Sequence, residues 1–257
     1  MSNTITTLAS ALVQRAHETA DPFYYGEAEA ALRNLIVWLP TISMRRKFAL
    51  RFFSVNMNSA RGLKLAKELN DRSADDIQVY ALMADAAIEL GDYREAEEAV
   101  QWMLNLRYAG ASGLARVARL RQIFGDTDGA FEMMNAAYEA ISPSEVEERA
   151  RNRTFVARLA LTTGNVEYAE KLLQQTLRLF PEYPHALIEL AGVRTVQQRH
   201  AEAADLWRRV NHLVPHPRNL YGLANALEQM GQVEEAKGAY VEFEVKARSL
   251  IRARRQC

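Results

Sequence analysis

The stretch ARLALTTGNVEYA, residues 157–169, contains the pattern from which the fold can be predicted. A helical run reaches Gly164, and glycine adopts the left-handed conformation that ends many helices at little cost. A second helical run starts within two residues of that glycine. Ala157 lies seven residues before the glycine, and Ala169 lies five residues after it. The stretch therefore predicts two antiparallel helices joined by a tight turn, with one alanine in each helix.

The same pattern recurs along the chain. Successive turns are separated by 34, 39, 34 and 33 residues. They begin at Gly91, Gly125, Gly164, Gln198 and Gly231. Seven residues before each turn stand Ala84, Ala118, Ala157, Ala191 and Ala224. Five residues after each turn stand Ala96, Ala130, Ala169, Ala203 and Ala236. A period of this size indicates a repeat protein.

Alanine at matched positions has a packing explanation. Where two helices cross, a small side chain lets the helix axes approach to about 8–10 Å. Pro143, Pro181 and Pro215 follow second helices, and proline ends a helix because it lacks an N–H group. Since one helix pair cannot bury its own apolar face, each pair is expected to stack on the next.

A helix–turn–helix unit of about this length resembles the tetratricopeptide repeat. The first clear copy carries the signature residues Tyr80, Met83, Ala84, Gly91, Tyr93 and Ala96. The last copy carries Leu220, Leu223, Ala224, Gly231 and Ala236. The resemblance covers about Ile77 to Lys246, although Gln198 replaces the turn glycine in one copy. It implies an all-α fold, a right-handed superhelical α-solenoid.

The repeats divide the chain into three parts within one predicted domain, residues 1–257. Residues 1–76 are expected to form two degenerate repeats, with helices at about Thr4–Ala20, Glu27–Leu39, Met44–Val55 and Ala60–Leu69. Residues 77–246 form five clearer repeats, and residues 247–257 complete a capping helix that starts at Val233. The segment Ser142–Val146 carries the extra residues of the long spacing, and is the best candidate for a joint.

Composition excludes several classes of protein. The chain has 32 basic and 32 acidic residues, so a protein that binds nucleic acid through general positive charge is not expected. Cys257 is the one cysteine, which excludes an internal disulfide. The sequence has no apolar run long enough to cross a bilayer and no signal-peptide pattern at its start. These features predict a cytoplasmic location. The general character of the repeat sequences suggests a bacterial protein.

Motifs for catalysis are missing from the sequence. It has no glycine-rich phosphate loop, no HExxH and no nucleophile elbow. His212 and His216 are spaced as metal ligands on a helix would be, but Pro215 and Pro217 make a loop the better interpretation. We therefore predict a non-catalytic protein without a metal or cofactor. An enzyme with its chemistry in the irregular N-terminal third is the less favoured alternative.

The resemblance implies that the first helix of each repeat lines a concave groove that binds peptides. Residues six, nine, ten and thirteen positions before each turn share the helix face opposite the alanines. The groove residues predicted in this way are Lys47, Phe48, Arg51, Arg116, Arg119, Arg151, Phe155, Arg158, Arg218, Tyr221 and Asn225. Arginine pairs two oxygens at once, which favours an acidic or carboxylate-ended ligand. The alternative is that these arginines are solvated or paired with neighbouring carboxylates.

Two functions follow from these observations. The leading hypothesis is a scaffold or adaptor that binds a protein or peptide segment, acidic in character, in the groove. The alternative is a self-assembling structural protein that forms homo-oligomers end to end, through Phe23 and Tyr24 in the N-terminal repeats and the tail helix. Both aromatic clusters, Phe23–Tyr25 and Phe52–Phe53, are interpreted first as core or capping residues of the N-terminal repeats, and a self-association patch is the alternative.

Overall fold

The computed structural model of the chain describes residues 59–71, 75–106 and 110–256, together with Ala11, Leu12, Arg15 and Glu27. Eleven α-helices account for the regular structure of these ranges, which contain no strand. The two helices of each clear repeat pack against one another. The predicted all-α fold of helix–turn–helix repeats is confirmed.

The contacts divide the described residues into two compact units, unit 1 up to Glu145 and unit 2 from Val146. The boundary falls in Ser142–Val146, the segment that the sequence indicates as a joint. Each unit is described here by itself. A single domain that spans residues 1–257 stays a prediction.

Unit 1 contains five described helices. They are α1 (Ser59–Asn70), α2 (Ile77–Leu90), α3 (Tyr93–Leu106), α4 (Ala111–Ile123) and α5 (Thr127–Ala140). The predicted helix over Ala60–Leu69 is confirmed as α1. The three helices predicted further towards the N-terminus lie outside the described residues, except for the four isolated positions.

Unit 2 contains six helices. They are α6 (Val146–Thr162), α7 (Val166–Leu179), α8 (Pro184–Val196), α9 (His200–Leu213), α10 (Pro217–Gln229) and α11 (Val233–Gln256). The helices α6, α8 and α10 are the first helices of three consecutive repeats. The sequence predicts a capping helix from Val233 to about Arg254, and α11 confirms it.

The alanines that define the repeat lie at the helix contacts. All ten are buried: nine have no solvent-exposed surface, and Ala236 is 3% exposed. In the repeat formed by α8 and α9, Ala191 and Ala203 belong to one apolar cluster that also contains Trp207. Small side chains at these positions therefore let the paired helices pack closely, as the sequence predicts.

The five repeat turns share one backbone geometry. Each turn residue has a positive φ, between 74° and 83° at the four glycines and 59° at Gln198. The residue after it donates its N–H to a carbonyl five positions back, as from Asn165 to Ala160 at 2.8 Å and from Arg199 to Arg194 at 2.8 Å. Gln198 thus takes the place of glycine without changing the turn.

A buried network surrounds the turn at Gln198. The Arg194 guanidinium, 8% exposed, contacts a Glu170 carboxylate oxygen at 2.8 Å and a Glu202 oxygen at 3.0 Å, and it donates to Gln197 Oε1 at 2.7 Å. The hydrogen bond from Gln197 is the main cause that lowers the pKa of Glu170; Arg194 adds to this effect and burial opposes it. These contacts tie the end of α8 to both α7 and α9.

Replacing Gln198 with glycine is expected to raise the free energy of unfolding by about 1 kcal/mol, because a side chain with a Cβ is strained at positive φ. Urea denaturation of the two proteins measures the difference. The reciprocal change, Gly164→Gln, should lower stability by a similar amount. A glycine variant that is no more stable than the parent would contradict this interpretation of the turn.

Candidate functional site

The first helices of unit 2 carry most of the predicted groove residues that the structure describes. Arg151 and Arg158 are seven residues apart on α6, and so lie on one face of that helix. His185 and Glu189 are four residues apart on α8. Arg218 lies in the first turn of α10. We call Arg151, Arg158 and Arg218 the arginine cluster.

All three members of the arginine cluster act electrostatically on His185. This exposed imidazole packs edge-on against the Tyr183 ring, with centroids 5.3 Å apart. Partial burial lowers the pKa of His185 first, and Arg151, Arg158 and Arg218 lower it further. The imidazole is therefore neutral at pH 7, and the three arginines act on one point from two helices.

Glu189 lies beside the same arginines but is not bridged to them. Burial raises the pKa of Glu189, although Arg158 and Arg218 act in the opposite direction. Among the described residues, no guanidinium lies within salt-bridge distance of its carboxylate. The site therefore contains three arginines and two carboxylates, those of Glu189 and of Glu148, which pairs with Arg151. The basic groups outnumber the acidic ones.

Two members of the arginine cluster have no ion-pair partner within the described part of the chain. Arg158 is exposed, and its guanidinium carbon lies 5.0 Å from the centroid of the Phe155 ring. Such stacking positions a guanidinium without using its N–H groups. Arg218 is exposed at the start of α10. Both side chains can donate hydrogen bonds to an added anion.

Arg151 is paired, but weakly. Its Nη2 lies 3.2 Å from a Glu148 carboxylate oxygen one turn earlier on α6, and the two side chains are 51% and 35% exposed. Exposed pairs of this kind contribute about 0–1 kcal/mol. A stronger anionic ligand can therefore displace Glu148.

Tyr221 and Asn225 face α11. The Tyr221 ring, 48% exposed, contacts the rings of Tyr240 and Phe243 at centroid distances of 6.0 and 5.4 Å. The Tyr240 hydroxyl donates to Asn225 Oδ1 at 2.5 Å. This hydrogen bond occupies the amide oxygen of Asn225 and leaves its amide nitrogen able to donate. The partial carboxylate clamp of Asn225 with Arg218 that the sequence suggests therefore stays a prediction.

In unit 1, Arg116 is engaged within the protein. Its Nη2 lies 2.6 Å from an Asp85 carboxylate oxygen, and its Nε donates to the Ala81 carbonyl at 3.3 Å. Its Nη1 donates to the Ser112 hydroxyl at 2.6 Å and carbonyl at 2.9 Å. Arg116 therefore connects α4 to α2. At this position the arginine is paired with a carboxylate of the protein, which is the alternative to a ligand-binding arginine given above. Arg119 is half-buried with no ion pair in the described ranges.

Three predicted groove residues, Lys47, Phe48 and Arg51, lie outside the described residues. The aromatic pairs Phe23–Tyr24 and Phe52–Phe53 also lie outside them. The role of these positions stays a prediction.

Sequence reasoning missed two partners of the site. It did not identify Tyr183 as the ring beside His185, since a buried tyrosine one residue before a helix gives no distinct signal. It also missed the bridge between Asp85 and Arg116. Their separation of 31 residues, close to one repeat, could have indicated contact between neighbouring first helices.

The histidine pair follows the loop interpretation only in part, since His212 lies in the last turn of α9 and His216 lies between α9 and α10. His216 caps α10, since its Nδ1 accepts the Arg218 N–H at 3.1 Å. No group of three or more metal-binding side chains occurs within the described ranges. The helices of those ranges also include none long and apolar enough to cross a membrane.

Comparison with known proteins places part of the chain in a family. Residues 157–215 match the model of the tetratricopeptide repeat. No curated protein matches the sequence. Many solved structures share the fold, and three of them illustrate the likeness.

The first is the hetero-tetramer Cut9–Hcn1 of the APC/C, with a TM-score of 0.71, 16% identity and coverage of 86% of this chain. This chain spans only 43% of that one. The second is PilW, a widely conserved type IV pilus biogenesis factor, with a TM-score of 0.64, 13% identity and coverage of 82% and 94% of the two chains. The third is pilF of Pseudomonas aeruginosa, with a TM-score of 0.58, 13% identity and the same coverage. At these identities the likeness concerns the fold alone.

Proposed function

This chain carries tetratricopeptide repeats, and on that premise we propose that it is a non-catalytic scaffold that binds an acidic peptide or protein segment at the arginine cluster of unit 2. Repeats of this family form interaction surfaces, and the arginine cluster supplies the chemistry on this one. A cytoplasmic location and a bacterial origin stay predictions from the sequence.

One observation carries the proposal: Arg158 and Arg218 both act electrostatically on His185 and Glu189 of α8, yet neither guanidinium forms an ion pair among the described residues. Several other exposed arginines of the described residues behave differently. Arg199, Arg208 and Arg248, for example, each contact a carboxylate of their own repeat. Arg158 lies on α6, Arg218 on α10 and Glu189 on α8. Two guanidiniums that lack a partner in this arrangement support a site that is completed by an external anion.

The chemistry of the site favours a segment with more than one acidic group. A guanidinium presents a planar fork that binds two carboxylate oxygens together. The arginines come from two helices on either side of α8, so one carboxylate cannot satisfy them all. Glu189 adds an acceptor that can receive a backbone N–H of the bound segment, which disfavours a bare inorganic anion.

Reversing the charge of Arg158 and Arg218 together, as Arg158→Glu with Arg218→Glu, is expected to weaken binding of a fluorescein-labelled oligoglutamate peptide about thirtyfold. The reason is a loss of about 1 kcal/mol of electrostatic attraction per reversed charge. Fluorescence anisotropy at low salt measures the dissociation constant. Circular dichroism confirms that helix content is unchanged.

The matched control is Lys171→Glu with Arg178→Glu. Both residues are exposed on α7, a second helix, and the double variant changes the net charge equally. It should bind within about twofold of the parent, because screening confines these interactions to about 10 Å. Equal weakening by both double variants would mean that net charge attracts the peptide, and would refute the proposed site.

The alternative function, end-to-end assembly, involves N-terminal aromatic residues outside the described ranges. Its other component, the tail helix, is α11.

A further inference from the structure

The last helix differs from the other second helices in length. The second helices α3, α5, α7 and α9 each have 14 residues, whereas α11 has 24. Tyr240 and Phe243 attach α11 to α10. The helix thus extends well past the repeat that it completes.

Two valines on α11 occupy positions that are polar in every preceding clear repeat. Val241 and Val245 are 64% and 63% exposed. Ten residues after the turn, the earlier repeats carry Gln101, Asn135, Gln174 and Arg208. Fourteen residues after it, they carry Asn105, Glu139, Arg178 and His212. The repeat pattern therefore predicts solvent-facing polar side chains at these two positions. Among the clear copies, the last one alone carries apolar side chains at both.

The valines lie in the centre of a regular stripe. Steps of four and three residues lead from Glu234 through Gly238, Val241 and Val245 to Arg248, and the sequence continues with arginine at 252. Such steps keep residues on one face of a helix, and this face is nearly opposite the one that carries Tyr240 and Phe243. Since α10 covers the Tyr240 face, the valine stripe is left open.

The two ends of α11 carry opposite charge. Before Val245, residues 234–244 contain four glutamates and one lysine, and two of these glutamates lie between the valines. After them, residues 246–255 contain five basic residues and no acidic one. Beside the stripe, Lys246 pairs with Glu242 at 2.7 Å and Arg248 with Glu244 at 3.2 Å. A helix that is acidic at one end and basic at the other complements its own reversed copy.

We propose that α11 is a homodimerisation helix, which pairs antiparallel with α11 of a second copy of this chain about a two-fold axis near residue 243. Val241 then packs on Val245 of the second copy, and the reverse contact follows from the symmetry. Glu234 lies opposite Arg252 of the second copy. Gly238, where an added Cβ would have no neighbour within 4 Å, lies opposite Arg248 and leaves room for its stem. The pairing is independent of the arginine cluster.

Sedimentation velocity of the full chain, over about a hundredfold range of protein concentration, tests the proposal. The parent should pass from monomer to dimer. Val241→Glu with Val245→Glu should raise the dimer dissociation constant by more than about 100-fold, since each interface would then hold four buried like charges. The control Leu179→Glu with Val196→Glu changes two residues that are equally exposed in unit 2, and should dimerise as the parent does.

Exchanging the charges at positions 234 and 252 distinguishes helix pairing in the dimer from a general effect of charge on solubility. Glu234→Arg should weaken the dimer about tenfold, and adding Arg252→Glu in the same chain should restore it, because each copy then presents the swapped partner. Failure of the second change to restore the dimer would overturn the assigned register, as would a parent that stays monomeric at every concentration.

The direction of pairing is tested with Cys257→Ser as the background. Chains with Gly238→Cys mixed with chains with Arg248→Cys should form a disulfide-linked dimer, and neither should do so alone. A disulfide within one population would indicate parallel helices and would contradict the proposal.

Discussion

Leucine in place of Ala203 is expected to lower the free energy of unfolding by about 3 kcal/mol. Ala203 has no exposed surface and shares its cluster with Ala191 on the partner helix and with Trp207. A leucine at this contact adds three carbon atoms where none fit, and overpacking of that kind costs up to about 3 kcal/mol. Urea denaturation followed by circular dichroism measures the loss.

The control for this experiment lies two residues away on the same helix. Ala201 is exposed on α9, so Ala201→Leu changes composition and helix propensity identically without touching the helix contact. It should alter stability by less than about 0.5 kcal/mol. If both leucine variants lost the same amount, the alanine positions would not be the contacts that hold the repeats together.

Gly222→Ala is expected to cost about 3 kcal/mol, an unusually large effect for one methyl group. Gly222 lies inside α10, where alanine normally stabilises a helix by about 1 kcal/mol. Here an added Cβ would clash with Cε2 of Trp207, a buried indole of the preceding repeat. The ring or the helix must move, which opens the contact between α9 and α10.

Gly192→Ala is the comparison for that variant. Gly192 also lies inside a first helix, but its added Cβ would make an ordinary contact at 3.6 Å with Leu161. This variant should therefore be slightly more stable than the parent. Thermal unfolding of both variants, followed by circular dichroism, distinguishes them; equal stability would show that the indole does not fill the space above Gly222.

Much of the fold could be predicted because its determinants are local and repeated. The spacing of Ala157, Gly164 and Ala169 specifies a turn and two helix contacts within one short stretch. The same spacing recurs in the other clear copies, which supports the prediction independently each time. Gln198 shows the limit of this reasoning. The sequence marks it as a departure, but only the structure shows that it takes a positive φ within the network of Arg194, Glu170 and Glu202.

The candidate site was harder to predict, because a helix face identifies which residues are accessible and not what they contact. Arg116 and Arg158 both occupy the predicted face. Arg116 meets Asp85 of the preceding repeat, whereas Arg158 stacks on Phe155 and keeps its N–H groups available. The difference depends on which side chain the neighbouring repeat places opposite, and helix periodicity alone carries no information about that.

The two valines of α11 are an apolar exception at repeat positions that are polar in the other clear copies, and the sequence alone contains this exception. Val241 and Val245 stand out only when the same position is compared across all copies. Their exposure in the structure gives that comparison a physical meaning, since in the earlier copies polar side chains occupy those positions.

The most direct test of the proposed function observes the arginine side chains themselves. In heteronuclear NMR spectra, the Nε–H resonances of arginine report the hydrogen bonds of each guanidinium, and single Arg→Lys variants assign them. Titration with the oligoglutamate peptide should shift the resonances of Arg158 and Arg218 and leave that of Arg116 in place, because Asp85 and Ser112 already hold its guanidinium. Saturable binding that leaves Arg158 and Arg218 unshifted would contradict the account.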